Sequence, residues 1–372
     1  MNNKNIFSSR LISNFDWILF GLTIVISVIG VAAIYSTGGA GNGEPNRTFI
    51  KQIYWILLGL IGMTLILLVD YHLLERFTYI FYIAIIIIFI IIALTGKSIS
   101  GARRWLSIGQ LTFQPSEIAK IILIITLARY FDDRNIRGAY QIRNLAVPFI
   151  IVLIPVILIA KQPDLGTAVI LFFIFVSMSF FMKINPKSFS ILIGSFVLSL
   201  PLLWHFMKNY QRNRILTLMN PQTDPLGSGY HIIQSKIAIG SGGYAGKGFM
   251  SGTQSQLNFL PEKHTDFIFS VFAEEMGFIG ATLLIFAYLV ILIKGIDVIY
   301  HARDRSGALM AIGVVSMLTF HIIFNIGMTT GIFPVVGIPL PFMSYGGSSL
   351  MTNFMAIGLL LNIKMRRFKG ID

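Results

Sequence analysis

The segment Gly252–Gly277, which reads GTQSQLNFLPEKHTDFIFSVFAEEMG, concentrates titratable side chains directly before a long apolar run. Glu262, Lys263, His264 and Asp266 lie almost side by side, close to the expected membrane surface. Ionisable groups at that depth are costly unless they face water, a substrate or one another, so they are candidates for function. Asp266 is the strongest candidate for acid/base chemistry, because the backbone N–H groups at a helix N-terminus favour an anion.

Two alternatives remain open for this segment. In one alternative, Asp266 is only an N-terminal residue of a helix that is capped by Thr265, a good N-cap residue type. His264 is either a second acid/base group or a hydrogen-bonding residue that, like Glu262, shapes the loop that presents Asp266.

Glu117 and Lys120 form a second pair of charges, and they lie inside an otherwise apolar segment. Their i,i+3 spacing puts both on one face of a helix, where they can pair. One interpretation is a structural ion pair. The other is a pair that lines a substrate cavity, which is favoured because burying two charges to hold helices together is seldom a net gain.

Further polar residues fall on the same predicted side of the membrane and complete a candidate substrate-binding set. They are Arg104, Gln114, Asp164, Arg212, Arg214, Lys236, Lys247 and Ser344. Together they predict a cation-rich cavity with carboxylates at its centre, although Arg104 also fits an interfacial anchor beside Trp105. The glycine-rich run 240–249 matches neither a P-loop nor a dinucleotide fingerprint, so a nucleotide site is not expected.

The composition shows what kind of chain must position these residues. Of 372 residues, 55% are hydrophobic and 12% charged, and the mean hydropathy is +0.76. So little charge cannot cover a soluble surface, which predicts an all-α polytopic membrane protein. The net charge of +13 lies mostly in short loops, a pattern that favours membrane topology and anionic lipid over nucleic acid. The absence of cysteine excludes thiolate chemistry.

About ten segments are long enough to cross a bilayer, which takes roughly 20 apolar residues. They fall near 17–36, 51–69, 77–95, 115–131, 147–160, 167–183, 188–206, 267–293, 308–330 and 347–363. The first is read as a retained helix rather than a cleaved signal peptide. Pro148 and Pro155 predict a kink or a break in the fifth.

Charge bias predicts the orientation. Short loops on one side carry sixteen Lys and Arg residues, whereas those on the other side carry six: Arg47, Lys51, Lys97, Arg103, Arg104 and Lys161. The positive-inside rule then places both termini in the cytoplasm and the long loop 207–266, between helices seven and eight, outside. Within that loop, 231–239 is predicted to form a short surface helix. No polar stretch is long enough for a second domain, so residues 1–372 are expected to form one membrane domain.

Several stretches resemble the SEDS family (shape, elongation, division and sporulation), and they occur along nearly the whole chain in the family's order. The stretches are GARRWLSIG, FQPSEIAK, KQPDLGT, DPLGSGYHIIQSKIAIGSGG, GTQSQLNFLPEKHTDFIFSVFAEE and GIPLPFMSYGGSS. The residues before LPE resemble the branch of the family that acts in cell elongation rather than in division.

The resemblance implies a ten-helix glycosyltransferase that polymerises lipid II into β-1,4-linked glycan strands outside the cytoplasmic membrane. It also implies a class B penicillin-binding transpeptidase as partner within the elongation machinery. The family's essential aspartate falls on Asp266, which is then the general base, and the family's charge pair falls on Glu117 and Lys120. The departing pyrophosphate needs cations, for which the basic residues above are candidates, as is a divalent ion (Mg²⁺ or Mn²⁺) held by Asp266 or Glu117.

Two rival functions belong to other classes. A transporter or lipid II flippase also places charges within spans, but it needs a polar path to the cytoplasmic side. A non-catalytic scaffold for the transpeptidase predicts that Asp266 can be replaced without loss.

Overall fold

The computed structural model describes residues 13–38, 47–95, 105–108, 111–134, 139–224, 227–257, 259–260 and 262–367. The helices are α1 Trp17–Ser36, α2 Arg47–Leu68, α3 Tyr71–Arg76, α4 Thr78–Thr95, α5 Pro115–Asp133, α6 Ile142–Lys161, α7 Leu165–Phe180, α8 Pro186–Phe206, α9 Asn209–Met219, α10 Ser228–Ser241, α11 Thr253–Gln256, α12 Ile268–His301, α13 Arg305–Thr329 and α14 Gly347–Met365. A 3₁₀ turn covers Pro221–Thr223, and a short hairpin pairs β1 (Leu106–Ile108) with β2 (Leu111–Phe113).

Each of the ten predicted spans is a helix, which confirms the all-α fold class. By length and composition, five of the helices in the described ranges are able to cross a membrane, and two shorter ones, Thr78–Leu94 and Leu165–Phe180, are apolar as well. Of the kink or break predicted at the prolines of the fifth span, the break is wrong, since α6 runs unbroken through Pro148 and Pro155, and the kink stays a prediction. The short helix predicted at 231–239 is present as α10, whereas its location on the membrane surface stays a prediction.

Packing distinguishes the interior helices from those at the edge of the bundle. Helices α13 and α14 bury most of their side chains, whereas α2 exposes Leu57, Ile61 and Leu65, four residues apart along one face. A stripe of large exposed apolar side chains would be unfavourable in water, but it matches the hydrocarbon of a bilayer. The chain is therefore a membrane protein.

Contacts sort the helix ends into two groups. At one end of the bundle, Lys364 Nζ lies 2.6 Å from Asp16 Oδ2 and 2.7 Å from Asp297 Oδ2, which joins the start of α1 to the ends of α12 and α14. At the other end, Gln52 at the start of α2 donates to Ser344 O (3.2 Å), just before α14 begins. Helix α1 therefore begins at the end of the bundle where α12 and α14 finish, and α2 begins at the opposite end.

Helix α12 has a bend at Gly277, whose φ of 65° and ψ of −166° are non-helical. The bend frees backbone groups of α12, and the glycine-rich loop pairs with them: Lys247 N donates to Glu274 O (3.0 Å), and Phe278 N donates to Gly243 O (2.8 Å). A Cβ on Gly246 or on Gly277 would collide with the backbone of the other segment. This contact anchors the long loop to α12, so the glycines serve close packing.

Candidate active site

The catalytic candidate Asp266 is half-buried and lies in a turn, 262–267, that leads into α12. It lines a cavity of about 350 Å³, which is within the usual size of small-molecule sites. The lining residues are Asn213, Arg214, Asp224, Ser228, His231, Glu262, Asp266, Phe267 and Val335. The cavity thus lies between α9, α10, the start of α12 and the connector that follows α13.

The long loop builds much of the cavity wall. Asp224 Oδ2 accepts hydrogen bonds from Ser228 N (2.9 Å) and Ser228 Oγ (3.2 Å), which fixes the first turn of α10. Below the cavity, a small apolar cluster attaches α10 to α12 and to the connector. Its buried members are Ile232, Leu260, Phe267, Val271, Met328 and Val335. The loop is therefore a packed part of the site rather than a polar appendage.

His231 is one of the cavity residues that sequence reasoning did not select. Its ring stacks on Phe267 with centroids 5.9 Å apart and an interplanar angle of 21°. Burial lowers the pKa of His231, so at neutral pH it carries no charge and presents one donor and one acceptor nitrogen. Arg214 then supplies the fixed positive charge of a lining that also contains the carboxylates of Asp224, Glu262 and Asp266.

The three lining carboxylates differ in their surroundings. Asp224 is engaged by Ser228, as described, whereas Glu262 is exposed and its Oε2 accepts a hydrogen bond from Thr265 Oγ1 (3.1 Å). Asp266 is half-buried beside Gly337, whose Cα would place a Cβ 3.4 Å from Asp266 Oδ2. A half-buried carboxylate on the wall of a cavity is accessible to a bound molecule, which is one requirement of a general base.

The local structure around Asp266 departs from the prediction in one respect. Helix α12 begins at Ile268 with Phe267 as its N-cap, so Asp266 precedes the helix instead of starting it. Thr265 is not a cap: its Oγ1 donates to Glu262 O (3.3 Å) and to Glu262 Oε2. The capping alternative is therefore wrong, and the placement of Asp266 depends on other contacts of the turn.

Lys263 and His264 point away from the cavity. Lys263 Nζ donates to Ser255 O (2.7 Å), and His264 Nδ1 lies 2.6 Å from Thr37 Oγ1. Thr37 already donates its hydroxyl hydrogen to Ile34 O (2.7 Å), so His264 must be the donor through Nδ1–H. Burial, followed by the charge of Lys263, lowers the pKa of His264. These contacts support the loop-shaping role for His264.

Glu117 and Lys120 form the ion pair that their spacing predicts. Lys120 Nζ lies 2.8 Å from Glu117 Oε2, and the residues are 1% and 5% exposed. The same Nζ lies 3.0 Å from His321 Nε2 on α13. Because His321 Nδ1 lies 2.7 Å from Met317 O and must donate there, its Nε2 accepts from the lysine. The pair thus joins α5 to α13 within the bundle, and neither residue lines the Asp266 cavity described above.

Gln114 and Asp164 come together in a separate polar cluster at the same end of the bundle as Asp266. Asp164 Oδ2 accepts from Gln114 Nε2 (2.6 Å) and from Thr167 Oγ1 (3.0 Å), and its Oδ1 caps α7 through Thr167 N. Gln114 N in turn donates to Ser348 Oγ (2.9 Å) at the start of α14. The cluster ties the starts of α5, α7 and α14 to one another.

The predicted cations are distributed over several places. Arg212 donates to Trp204 O (3.0 Å) and to His205 O (2.6 Å) at the end of α8. Lys247 Nζ pairs with the fully buried Glu274 at 2.7 Å, and Lys236 extends over Gly331. Arg104 lies outside the described residues. Among the predicted cations that the structure describes, Arg214 is the one that lines the Asp266 cavity.

Ser344 contacts the turn 262–267 that carries Asp266. Its Oγ donates to Thr265 O (2.7 Å) and accepts from Leu340 N (2.8 Å). Nearby, Asn325 of α13 donates to Asp266 O (3.0 Å) and to Ile338 O (2.8 Å). His321 and Asn325 were missed by the sequence reasoning, although two polar residues four apart inside an apolar span were a usable signal.

Glu117 is engaged by Lys120 in the buried pair, so of the two carboxylates named for a divalent ion Asp266 is the one on the cavity wall. In the part of the chain that the structure describes, no three His, Asp or Glu side chains are grouped as metal ligands. A divalent ion held by Asp266 stays a prediction.

Comparison with known proteins gives the family. The FtsW/RodA/SpoVE cell cycle protein family matches residues 11–369. The chain is 38% identical to the peptidoglycan glycosyltransferase MrdB of Escherichia coli K12, over 98% of this chain and 97% of that protein. It is 33% identical to the peptidoglycan glycosyltransferase RodA of Treponema pallidum, over 96% and 99%.

Solved structures agree with this assignment. One similar chain comes from a peptidoglycan synthase complex that coordinates polymerization and crosslinking, with a TM-score of 0.81, 32% identity and coverage of 96% and 99%. The RodA rod-shape-determining protein of Thermus thermophilus aligns with a TM-score of 0.71 and 28% identity, over 96% and 98%. The predicted resemblance is confirmed: this chain belongs to the FtsW/RodA/SpoVE family.

Proposed function

We propose that this protein is a peptidoglycan glycosyltransferase that polymerises lipid II during cell elongation, with Asp266 as its general base. The enzyme class follows from the family and from relatives that are named peptidoglycan glycosyltransferases. The observation that carries the assignment of the base is the position of Asp266 on the wall of a cavity of about 350 Å³ that also contains Arg214.

The reaction needs one proton acceptor and one stabiliser of negative charge. Asp266 takes the proton from the 4-hydroxyl of the acceptor sugar while the hydroxyl oxygen bonds to the anomeric carbon of the donor. The bond from that carbon to the lipid pyrophosphate breaks, and undecaprenyl pyrophosphate leaves with the electron pair. An α-linked donor that gives a β-1,4 bond is inverted once, so one base is sufficient and no covalent enzyme intermediate is needed.

Arg214 is the group of the cavity best suited to the departing pyrophosphate, since guanidinium binds phosphate oxygens in a bidentate manner. Lys236, on the neighbouring helix α10, is a further candidate. We keep a divalent ion, Mg²⁺ or Mn²⁺, as part of the proposal: the pyrophosphate would supply most of its oxygen ligands and Asp266 one carboxylate.

The proposed location is the cytoplasmic (inner) membrane of a bacterium, with the Asp266 cavity outside and both termini in the cytoplasm. Support comes from the excess of Lys and Arg in the loops at the opposite end of the bundle. The proposed partner is a class B penicillin-binding transpeptidase of the elongation machinery. It is supported by the similar chain solved in a peptidoglycan synthase complex.

Polymerisation of purified lipid II tests the proposal directly. Wild-type protein should yield glycan strands, and Asp266→Asn, which keeps the shape but not the base, should be slower by about 10²–10⁴-fold. Glu262→Gln is the matched control, because it removes a second carboxylate of the same cavity that lies in a more exposed position. Its rate should stay within about tenfold of wild type.

Asp266→Asn with the wild-type rate would overturn the assignment of the base. Lipid II that crosses vesicle membranes without any polymer would favour the flippase. If the wild-type protein made no polymer but stimulated a transpeptidase, it would be a scaffold.

A further inference from the structure

Three consecutive backbone carbonyls of the turn 262–267, called the Asp266 turn here, accept hydrogen bonds from one neighbouring part of the bundle. The bonds run from Tyr345 N to His264 O (2.8 Å), from Ser344 Oγ to Thr265 O (2.7 Å) and from Asn325 Nδ2 to Asp266 O (3.0 Å). All three donors belong to α13 or to the connector between α13 and α14. These carbonyls are therefore bonded to α13 and to the connector, and not to α12, the helix that follows the turn.

This arrangement answers a requirement of the turn itself. Since α12 begins only at Ile268, the carbonyls of residues 264–266 have no place in its hydrogen-bond ladder. Buried backbone carbonyls need partners, and a partner in a different element fixes the relative position of the two elements. The position of Asp266 is thus set by α13 and by the connector.

Asn325 has the central place among the three donors. It is fully buried, and its amide donates one hydrogen to Asp266 O and the other to Ile338 O (2.8 Å). The Asn325 side chain therefore joins both the Asp266 turn and the connector to α13. The connector passes close to the carboxylate, because Gly337, with a φ of +74°, faces Asp266 Oδ2.

We propose that Asn325 is a positioning residue that, together with Ser344, holds Asp266 where it can accept the proton of the acceptor hydroxyl. The inference rests on the proposed function of Asp266 as the base. A base must be within hydrogen-bond reach of the proton it takes, and a displacement of about 1 Å costs on the order of 100-fold in rate. Loss of Asn325 therefore lowers kcat, whereas substrate affinity, set by groups that Asn325 does not touch, changes little.

The chain contains a matched control for this test. Asn362 on α14 is also fully buried, and its amide also donates to two backbone carbonyls, Ile66 O and Val69 O (2.6 Å). Those carbonyls lie at the end of α2, away from the Asp266 turn. Asn325→Leu and Asn362→Leu therefore remove the same kind of donor at opposite ends of the bundle, and Asn362→Leu also removes the Oδ1 that accepts from Arg366 Nη1 (2.6 Å).

The experiment measures kcat and KM for lipid II polymerisation, and thermal stability, for both variants. Both should lose stability, since each leaves two carbonyls without a donor, and Asn362→Leu should lose at least as much because Arg366 also loses its acceptor. Asn325→Leu should lower kcat by about 10–100-fold with KM changed less than about threefold, whereas Asn362→Leu should retain kcat within about twofold. Equal kcat values for the two variants would overturn the positioning role.

Ser344→Ala provides an independent variant that keeps the proposal testable if Asn325→Leu fails to fold. It removes the donor to Thr265 O and should also lower kcat selectively. In the double variant the loss should be smaller than the product of the two single losses, because both side chains hold the same turn. Fully independent effects would contradict a shared clamp. If Asp266→Asn itself were fully active, the proposed function would fail instead, so the two failures are distinguishable.

Discussion

The buried pair formed by Glu117 and Lys120 permits a prediction that separates structural support from substrate contact. Lys120→Met removes the cation from a carboxylate that is 5% exposed and lies 2.8 Å from the lysine nitrogen. At that distance two unit charges attract by about 6 kcal/mol with an effective dielectric constant of 20. Measured costs of removing one partner of a buried pair are about 3–5 kcal/mol, so we expect Lys120→Met to lower the free energy of unfolding by that amount.

The double variant Glu117→Leu/Lys120→Met removes both charges together. It should regain most of the lost stability, because an apolar pair of similar volume no longer carries a desolvated charge. One cost remains: Nε2 of His321 loses the donor that Lys120 supplied at 3.0 Å, which is worth about 1–3 kcal/mol. If the pair only supports the bundle, the double variant should polymerise lipid II within about tenfold of wild type.

Unfolding by a denaturing detergent in mixed micelles, followed by circular dichroism, measures these stabilities. Asp133→Asn is the control, because the pair of Asp133 with Arg129 is exposed and long at 3.4 Å and should contribute less than about 1 kcal/mol. A loss for Lys120→Met as small as that of the control would refute the electrostatic reasoning. A double variant that is stable but inactive would show that the pair contacts substrate.

Two further predictions concern orientation and pH. Because the chain has no cysteine, Met219→Cys and Tyr300→Cys each introduce a single thiol at a position that is 82% exposed. An impermeant maleimide should label the cysteine at 219 in intact cells and the cysteine at 300 only after permeabilisation. The opposite labelling pattern would reverse the topology. The lowered pKa of His264 means that the folded state favours the neutral imidazole. The contribution of His264 to the free energy of unfolding should therefore be complete above about pH 6.5, the ordinary pKa of histidine. As the pH decreases from about 6.5 to the folded-state pKa, that free energy should decrease by up to about 1.4 kcal/mol per pH unit. His264→Asn keeps a donor for Thr37 and should show a flatter acid profile than wild type in the same unfolding assay, and identical profiles would contradict this role of His264.

Much of the fold was predictable because a membrane imposes a simple rule on sequence. A span needs a run of about 20 apolar residues, and the sequence contains ten such runs. Each run is a helix in the structure, namely α1, α2, α4–α8 and α12–α14. The unbroken course of α6 through Pro155 was not predictable, because packing against neighbouring helices can outweigh the local cost of proline.

The candidate site was predicted only in part. Local patterns selected Asp266 and the pairing of Glu117 with Lys120, since i,i+3 spacing brings side chains together in any helix. The cations were harder, because the partner of a long side chain depends on elements distant in sequence. Lys247 pairs with Glu274 across the bend of α12, and Arg212 turns back onto the end of α8, so Arg214 is the predicted cation found in the cavity.

The sequence by itself determined the class of protein, the number of spans, the family and the identity of the catalytic candidate, because apolar length and contiguous motifs are local properties. Only the tertiary structure decided what surrounds Asp266. His231 enters the cavity from α10, and Asn325 and Ser344 hold the turn from α13 and the connector. Backbone carbonyls outside a helix must find donors wherever the packed chain offers them, and that choice is made by contacts between residues tens of positions apart.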